Sequence, residues 1–283
     1  MGRRERRETG GKGVRVVTWN LWWRFGPWAE RQKAVLAVLR ELRPDVVGLQ
    51  EVWSAEGGNL AEWLAGELGL HCAWAESGAP GRWQRRIGDD TVGIGTAVLS
   101  RWPVAERAVL RLPVPEELDD GRLALYAGLD TPGHLVPFFT THLTSVPNAS
   151  AVRAGQVAAL AEFVAGHRRE TGFPPVVTGD FNARPDSDEL RLLGERGFLD
   201  AWRYADPAAP SATVDPANPY VTSGGPGLRI DHIRVGPPGP GGLGRVRAVR
   251  RAGDGPVDGV WPSDHLAVVA DLDGDGGHLP DRA

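Results

Sequence analysis

The sequence predicts an α/β fold in which mixed β-sheets are covered by helices on their outer faces. Predicted strands and helices alternate in a mixed order, hairpin-like strand pairs stand between helices, and no linker separates two halves with cores of their own. The chain has 283 residues, 41% of them hydrophobic, so a sizeable core can form. We therefore expect a single domain over residues 14–271, flanked by a flexible basic tail at 1–13 and a flexible tail at 272–283.

Four segments have the apolar spacing of amphipathic helices. In residues 28–43 apolar side chains recur every three or four positions, Pro27 suits the helix start, and Pro44 ends it. The same spacing predicts helices over Leu60–Leu68, 150–169 and 188–196.

The strands are predicted from short β-rich or apolar runs that are bounded by turn residues. They lie at 14–19, 45–50, 96–100, 122–129, 135–143, 175–178, 228–235 and 265–271. Residues 236–244 are rich in Pro and Gly and are typical of a surface loop.

Composition excludes several classes of protein. No run of about twenty apolar residues predicts a membrane span, and the basic N-terminus lacks the apolar segment of a secretory signal. Cys72 is the only cysteine, so neither an internal disulfide nor a cysteine zinc site is expected, and we expect a cytoplasmic monomer. The formal net charge of −4 argues against a protein that coats nucleic acid, but not against an enzyme with a local basic groove.

Polar residues of matching chemistry recur where the predicted strands end or begin. Each alone has an ordinary explanation, such as a solvated carboxylate or a turn residue. Together they are harder to dismiss, because strand ends are where a rigid scaffold presents functional groups. The set comprises Asn20, Glu51, His142, Asp180, Asn182, Asp264 and His265.

Phosphoester hydrolysis assisted by a divalent metal explains this combination of residues. Carboxylate oxygens are the ligands that Mg²⁺ prefers, so Glu51 and Asp264 are candidate metal ligands, with Mn²⁺ as a substitute ion. Such an ion neutralises phosphate charge and stabilises the leaving oxygen. Asp180 is a candidate acceptor for the proton of an attacking water, and the imidazoles are candidate hydrogen-bond donors to the transition state.

Taken in order, the sequence motifs resemble those of the endonuclease/exonuclease/phosphatase superfamily, over about residues 14–271. Each motif alone is weakly specific, whereas the ordered set is highly specific. The motifs are Thr18-Trp19-Asn20, Leu49-Gln50-Glu51, Thr141-His142-Leu143, Gly179-Asp180-Phe181-Asn182, Arg229-Ile230-Asp231-His232-Ile233 and Ser263-Asp264-His265. The resemblance implies a four-layer α/β sandwich like that of deoxyribonuclease I, with two packed mixed β-sheets flanked by helices.

The resemblance also implies a division of roles at the metal site. It makes Glu51 a metal ligand, places Asp264 in the same metal site, and has Asn20 support the metal and the phosphate.

A second group of residues is implied to carry the reaction. Asp180 positions or deprotonates the water, Asn182 contacts the phosphate, and Asp231 orients the imidazole of His265. His142 matches the histidine of the nuclease and sphingomyelinase branches and counts mildly against the abasic-site enzymes.

The sequence restricts the class of substrate less than it restricts the reaction chemistry. Arg82, Trp83, Arg85 and Arg86 form a basic stretch in a predicted loop, which is either an ordinary solvated surface or a contact to a phosphate backbone with Trp83 stacked on a base. We favour a nuclease acting on DNA or RNA, in endo or exo mode. A sphingomyelinase-like or small-molecule phosphodiesterase or phosphatase is the alternative, and a non-catalytic phosphate-binding scaffold is less favoured because every active group is present.

A serine hydrolase is excluded by two observations. Ser263, Asp264 and His265 are consecutive, so their side chains diverge and cannot form a triad. The sequence also lacks the Gly-x-Ser-x-Gly elbow.

Overall fold

The computed structural model describes residues 13–168, 172–222 and 224–274. The expected tails lie almost entirely outside these described residues. Within them, two mixed β-sheets pack face to face, and helices cover the outer face of each sheet. The four-layer sandwich is therefore confirmed.

The described residues form thirteen strands and five α-helices. In chain order the strands are β1 (Val14–Asn20), β2 (Val46–Ala55), β3 (Gly58–Asn59), β4 (His71–Glu76), β5 (Gly93–Ser100), β6 (Val104–Arg111), β7 (Leu123–Thr131), β8 (His134–His142), β9 (Val176–Asp180), β10 (Leu199–Asp200), β11 (Asp231–Val235), β12 (Val246–Ala252) and β13 (Ala267–Leu272). The helices are α1 (Trp28–Leu42), α2 (Leu60–Leu68), α3 (Gly81–Ile87), α4 (Ser150–His167) and α5 (Asp188–Glu195).

Each sheet mixes parallel and antiparallel neighbours. The first sheet has the order β12-β13-β1-β2-β5-β4, with β3 paired to β2, and its parallel pair is β1 with β2. The second sheet has the order β10-β11-β9-β8-β7-β6, and its parallel pair is β8 with β9. Because parallel neighbours end at the same edge of a sheet, β1 with β2 and β8 with β9 deliver their last residues side by side.

The four predicted helices are confirmed to within two residues at their ends. α1 buries Val35, Leu39 and Leu42 against the first sheet, and Arg43 ends it in the left-handed conformation just before Pro44. A Gly at the left-handed position after the last turn ends α2. α4 and α5 cover the outer face of the second sheet.

The inter-sheet core is apolar at one end and polar at the other. Val16, Val46, Phe138 and Val176 pack together in the apolar part and are fully buried. Two to four positions further along these strands, polar groups meet. The Gln50 amide donates to Thr18 Oγ1 at 3.1 Å within its own sheet and to Thr140 Oγ1 at 2.8 Å across the interface.

The two sheets approach each other closely at Gly48. A Cβ placed there would lie 2.5 Å from Thr178 Oγ1 and 2.7 Å from Thr140 Oγ1, so a larger side chain would force the sheets apart. The described part of the chain has no helix long and apolar enough to cross a lipid bilayer.

Candidate active site

The polar strand ends of the two sheets converge at one end of the sandwich. Three neighbouring strands of the second sheet present a row of side chains, because His142 of β8 pairs in register with Asp180 of β9, which pairs with Asp231 of β11. The first sheet brings Asn20 at the end of β1 and Glu51 in β2. The site is therefore assembled from both sheets.

The backbone around these residues is locally unusual. Gly179 has a φ of +148°, and a Cβ there would overlap the Thr141 carbonyl, so only glycine fits before Asp180. Glu51 and Asn182 adopt φ values of +50° and +47°, which residues with a Cβ rarely adopt. The Glu51 conformation coincides with a register shift in the pairing of β2 with β5. Strain of this kind clusters at functional sites and redirects these side chains.

Asp180 lies at the centre of the hydrogen bonds of the site. Its Oδ2 accepts a hydrogen bond from Asn20 Nδ2 at 3.0 Å and lies 3.3 Å from His142 Nε2 and 3.9 Å from His265 Nε2. Its Oδ1 accepts from the backbone N–H of Asn182 at 2.9 Å. Because Asn20 belongs to the other sheet, its bond to Asp180 ties the two sheets together at the site.

His265 and Asp231 form a dyad. His265 Nδ1 lies 2.8 Å from Asp231 Oδ2, and the Asp231 side chain is fully buried. This contact fixes the imidazole so that Nε2 faces Asp180. The pairing that the sequence resemblance implied is thus present in the geometry.

Burial and the charges of the site shift the pKa values of its members. Burial alone would raise the pKa of Asp180, but His142 and His265 outweigh it and hold that pKa well below its ordinary value. Burial alone would lower the pKa of His265, but Asp231, Asp180 and Asp264 together hold it well above its usual range. Burial, assisted by the charge of Arg122, lowers the pKa of His142. These shifts favour an ionised Asp180 and a protonated His265, whereas burial disfavours the charged form of His142.

Glu51 and Asp264 occupy the acidic part of the site. Burial raises the pKa of Glu51, and the nearby charge of Arg122 opposes the shift. Burial also raises the pKa of Asp264, to about 7, with the negative charge of Glu51 adding to the shift. Both ionised carboxylates are therefore short of compensating positive charge.

A small cleft opens beside Glu51. Its volume is about 20 Å³, enough for one water-sized species, and Glu51, His142 and Arg122 contribute to its lining. Arg122 is buried, and its guanidinium donates to Asp120 at 2.9 Å and to Ser145 at 3.1 Å. It supplies a fixed positive charge to the cleft, and the sequence did not identify it as a site residue.

One further group of side chains has the spacing of a metal site. Ligand atoms of Asp180, Asp231 and His265 lie within 4.8 Å of one another, and Asp231 Oδ1 is buried without a hydrogen-bond partner among the described residues. However, His265 Nδ1 is already engaged by Asp231, and the three carboxylates around His265 favour its protonated form, which cannot bind a metal. We therefore interpret this group as a hydrogen-bonded relay.

Hydrogen bonds hold the side-chain amides of both Asn20 and Asn182. Asn20 Oδ1 accepts from the Trp22 N–H at 3.0 Å while its Nδ2 reaches Asp180, so both ends of this amide are engaged. Asn182 Nδ2 donates to the Leu143 carbonyl at 3.1 Å. The structure thus places Asn182 beside Asp180 but turns its amide toward the strand end of β8.

Arg31 is a buried residue that the sequence analysis missed. It lies on the apolar face of α1, four positions before Val35. A charged residue on that face is the feature of the sequence that could have identified it. Burial lowers its pKa to about 10, and the charge of Asp264 opposes the shift. Its guanidinium donates to five backbone carbonyls, those of Leu21, Trp22, Trp23, Phe25 and Pro262. Arg31 therefore fastens the segment after Asn20 to the segment before Asp264.

Asn218 makes a similar connection from the opposite side. Its Nδ2 donates to the Ser263 carbonyl at 2.8 Å, and the Ser263 hydroxyl donates to the Asn20 carbonyl at 2.7 Å. The same hydroxyl accepts from the His265 N–H at 3.2 Å. No sequence signal identified Asn218, because its partner lies 45 residues away along the chain.

The basic segment around Trp83 differs from its predicted structure, whereas His232 agrees with its prediction. Residues 81–87 form α3 and not a loop, and Trp83 is buried, so it offers no surface for a base. Arg82 pairs with Asp120, and Arg86 lies over the Phe25 ring. His232 points away from the site, as expected from its alternation with Asp231, and its Nε2 lies 2.9 Å from the Ala183 carbonyl.

Comparisons with known proteins agree with this geometry. The sequence model of the endonuclease/exonuclease/phosphatase family matches residues 17–265. A search of curated proteins by sequence finds no match.

Solved structures share the fold over most of the chain. An endonuclease/exonuclease/phosphatase from Beutenbergia cavernae is 25% identical with a TM-score of 0.71, covering 94% of this chain and 72% of that one. Humanized D. rerio TDP2 is 20% identical with a TM-score of 0.71 and coverages of 92% and 98%. The human Nocturnin catalytic domain with bound sulfate is 20% identical with a TM-score of 0.68 and coverages of 92% and 93%. By its fold, its ordered motifs and the match over residues 17–265, this chain belongs to the endonuclease/exonuclease/phosphatase family.

Proposed function

We propose that this protein is a Mg²⁺-dependent phosphodiesterase that cleaves nucleic acid by attack of water on phosphorus. The observation that carries the proposal is the array of His142, Asp180, His265 and Asp231, which places one carboxylate and two imidazoles around a single point. An ionised carboxylate beside a protonated imidazole suits orientation of a water and stabilisation of a phosphorane-like transition state.

The acidic part of the site fits a divalent cation. Glu51 and Asp264 are carboxylates with raised pKa values, and a water-sized cleft adjoins Glu51. Oxygen ligands of this kind suit Mg²⁺, and Mn²⁺ is an expected substitute. We assign the metal to Glu51 and Asp264, with Asn20 holding the neighbouring Asp180 in place. A bound cation would supply charge neutralisation at the phosphate and at the leaving oxygen.

Asp180 is proposed to orient the attacking water. Its lowered pKa makes it a weak proton acceptor, so accepting a hydrogen bond from the water is favoured over complete proton removal. The donors Asn20 and His142 fix the direction of its second oxygen.

The two histidines are proposed to act on the phosphate. His265, held by Asp231 and favoured as a cation, donates from Nε2 to a non-bridging oxygen. His142, which burial favours as neutral, is proposed to transfer its Nε2–H from Asp180 Oδ2 to a second non-bridging oxygen when the phosphate is bound. Asn182 is proposed to contact the phosphate by rotation of its amide away from the Leu143 carbonyl.

The described surface favours a polar polyanion over a lipid. The exposed large apolar side chains there are Trp63, Val109 and Tyr204, which stand on α2, on β6 and in the turn after β10 and do not form one patch. A membrane-lipid substrate would require a contiguous apolar surface near the site. Arg122 lines the cleft as a buried cation that is paired with Asp120.

A substrate panel tests the proposal. The purified protein should be assayed on plasmid DNA, single-stranded DNA, RNA, sphingomyelin and inositol phosphates with Mg²⁺, Mn²⁺ or excess EDTA. We expect cleavage of a nucleic acid with either metal and none in EDTA. Glu51→Gln should lower both activity and metal affinity, whereas Glu67→Gln, which removes an exposed carboxylate paired with Arg40, should change neither.

Two outcomes would contradict the proposal. Full activity in excess EDTA would remove the metal from the mechanism. A higher kcat/KM on sphingomyelin or inositol phosphates than on any nucleic acid would replace the nuclease assignment by the alternative phosphodiesterase.

A further inference from the structure

A closed network of contacts surrounds the end of β1 and joins it to the segment before β13. Asn20 Oδ1 accepts from the Trp22 N–H at 3.0 Å, and the Trp22 indole stacks on the Tyr220 ring with 4.7 Å between their centroids. The Tyr220 N–H donates to Asn218 Oδ1 at 3.0 Å, and Asn218 Nδ2 donates to the Ser263 carbonyl at 2.8 Å. The Ser263 hydroxyl donates to the Asn20 carbonyl at 2.7 Å, which closes the network.

The aromatic stack is the part of this network that borders solvent. Trp22 and Tyr220 are half-buried, whereas the three residues that complete the network are buried. The contacts other than the stack are hydrogen bonds of 2.7–3.0 Å. Removal of the Tyr220 ring therefore opens the network without leaving a buried polar group unpaired.

The backbone at Trp22 shows why closure of the network matters. Trp22 and Trp23 have φ values of +55° and +38°, in the left-handed region that bulky residues rarely adopt. Strained conformations persist only where the surrounding structure over-determines them. Arg31 donates to the carbonyls of both residues, at 3.0 and 2.8 Å, and its guanidinium lies 4.8 Å from the Trp22 ring centroid. The contact with the Tyr220 ring is a second support for the same turn.

Residues 213–220 form a strap that is attached to the backbone on both sides of His265. At the start of the strap, the Thr213 carbonyl accepts from the Leu266 N–H at 2.7 Å. Further along it, the side-chain amide described above holds the Ser263 carbonyl. The last residue of the strap belongs to the aromatic stack, so the stack attaches the strap to the turn after β1.

The closed network reaches two residues of the proposed chemistry. Asn20 donates at 3.0 Å to Asp180, the carboxylate proposed to orient the water. Ser263 directly precedes Asp264, a proposed metal ligand. A support of the network is therefore a support of both carboxylates.

We propose that Trp22 and Tyr220 are positioning residues of the active site, which act by closing the network around the end of β1 and the strap. The inference rests on the proposed phosphodiesterase function and extends it to two residues that act through Asn20 and Ser263. Without the stack, the end of β1 and the segment before β13 lose a shared support. Turnover and metal affinity then fall together, whereas KM is unchanged.

Steady-state cleavage of bis(4-nitrophenyl) phosphate in Mg²⁺, expressed per folded molecule, tests the effect on turnover. Tyr220→Ala should lower kcat about tenfold and leave KM within about twofold, because the whole contact between the aromatic rings is lost. Tyr220→Phe keeps both aromatic rings and should stay within about twofold in kcat. The control is Tyr204→Ala, which removes a 43% exposed tyrosine outside the network and should leave kcat within about twofold.

Hydrogen exchange measures the positioning without turnover. The N–H groups of His265 and Leu266 are held by Ser263 Oγ and by the strap. In the metal-free Tyr220→Ala protein, peptides over residues 263–266 should exchange about tenfold faster, because the stack no longer holds the strap. Binding of Mn²⁺ to the same protein, measured by electron paramagnetic resonance, should weaken about fivefold.

The double variant Trp22→Ala with Tyr220→Ala tests whether the two residues act as one unit. Its loss in kcat should match that of the more affected single variant, because removal of either aromatic ring removes the same stack. Fully additive losses in folded protein would show that the two aromatic rings act separately and would contradict the inference.

Three results with the Tyr220 variants would also overturn it. They are an unchanged kcat in Tyr220→Ala, an equal loss in Tyr220→Phe, which would assign the effect to the hydroxyl, and a raised KM with unchanged kcat, which would make Tyr220 a substrate contact.

The positioning role and the proposed function fail separately. Faster exchange of residues 263–266 in Tyr220→Ala, in a protein that cleaves no phosphodiester, keeps the positioning role of the stack and removes the hydrolytic assignment. Equal exchange and equal turnover in Tyr220→Ala, in a protein that cleaves nucleic acid, do the reverse.

Discussion

The two ends of the inter-sheet face differ in chemistry although the same strands build both. Along four strands the inward-facing residues change from apolar, through Gly or Thr, to polar groups that belong to the site or adjoin it. These series are Val16-Thr18-Asn20, Val46-Gly48-Gln50, Phe138-Thr140-His142 and Val176-Thr178-Asp180. Because inward positions recur every second residue, the whole change takes only four residues along each strand.

The difference separates stability from catalysis in space. The apolar end provides buried area, which is the main favourable term in folding. The polar end contains buried carboxylates and histidines that would be costly without their mutual contacts. The middle layer sets the distance between the sheets, since Gly48 faces Thr140 and Thr178 there. Substitutions at the three levels should therefore have effects of different kinds.

The largest effect is expected at the apolar end, on stability alone. Phe138 is fully buried in the inter-sheet core, so Phe138→Ala should lower the free energy of unfolding by about 3–5 kcal/mol. Denaturant unfolding measures this loss, and Val109→Ala at an exposed position of β6 is the control. The kcat per folded molecule should stay within about twofold. A large fall in kcat would show that the two ends are not independent.

The next effect is expected at the polar end, on turnover. Asp231→Asn should keep the fold and metal binding but misdirect or neutralise the His265 imidazole. A loss in kcat on the order of a hundredfold, equivalent to about 2.7 kcal/mol, is expected. The double variant with His265→Ala should be little worse than His265→Ala alone, because the two residues act as a unit. Fully additive losses in a folded double variant would refute the dyad.

A smaller effect on both properties is expected in the middle layer. Gly48→Ala introduces a methyl group where two threonine hydroxyls already lie, so we expect a stability loss of about 1–3 kcal/mol. Turnover should also fall, because spreading the sheets lengthens the 3.0 Å bond from Asn20 to Asp180. Adding Thr178→Ala should restore part of both losses. An unchanged kcat in Gly48→Ala would mean that the site tolerates variation in sheet spacing.

How far the sequence predicts this arrangement depends on the range of the contacts. The strand-end residues follow from local signals, since an apolar run that ends in Asp, Asn, His or Glu is visible in the sequence. The bond from Asn20 to Asp180 spans 160 residues and has no local signature. The support given by Asn218 is likewise visible only once the chain is folded.

The missed elements have a different cause. β6 alternates exposed and partly buried residues at the edge of its sheet, and the basic β12 is the edge of the other, so neither has a strong apolar pattern. The basic segment at 81–87 is bounded by Pro80 and Gly88, which are the helix signals that its charge obscured.

The smallest expected effect concerns the outward face of β11, one residue from Asp231. Burial, with the charge of Arg234 adding to it, lowers the pKa of His232 to about 3. The unfolded chain therefore binds the proton more readily, and this contribution to stability is complete above about pH 6.5 and is lost as pH falls toward 3. Between pH 7 and pH 6 the loss should be about 0.7 kcal/mol.

Comparison with His232→Asn isolates that contribution. Denaturant unfolding of both proteins at pH 7 and pH 6 should show a smaller pH effect in the variant. His265, whose pKa is raised, has the opposite sign and stabilises the fold at low pH. An equal pH effect in the two proteins would mean that His232 titrates alike in the folded and unfolded states.

The pairing of β1 with β13 has a consequence for synthesis on the ribosome. Val14 lies opposite Leu272, so one of the earliest described strands is completed by the last one. His265 and Asp264 directly precede β13, and the Asn20 carbonyl is held by Ser263. About ninety residues separate β9 from the end of β13, and ribosomes add about 5–20 residues per second. During that time a growing chain carries the site residues of β8 and β9 without residues 263–265 and β13. Under the proposed function, the site is therefore complete only after residues 263–265 and β13 have emerged.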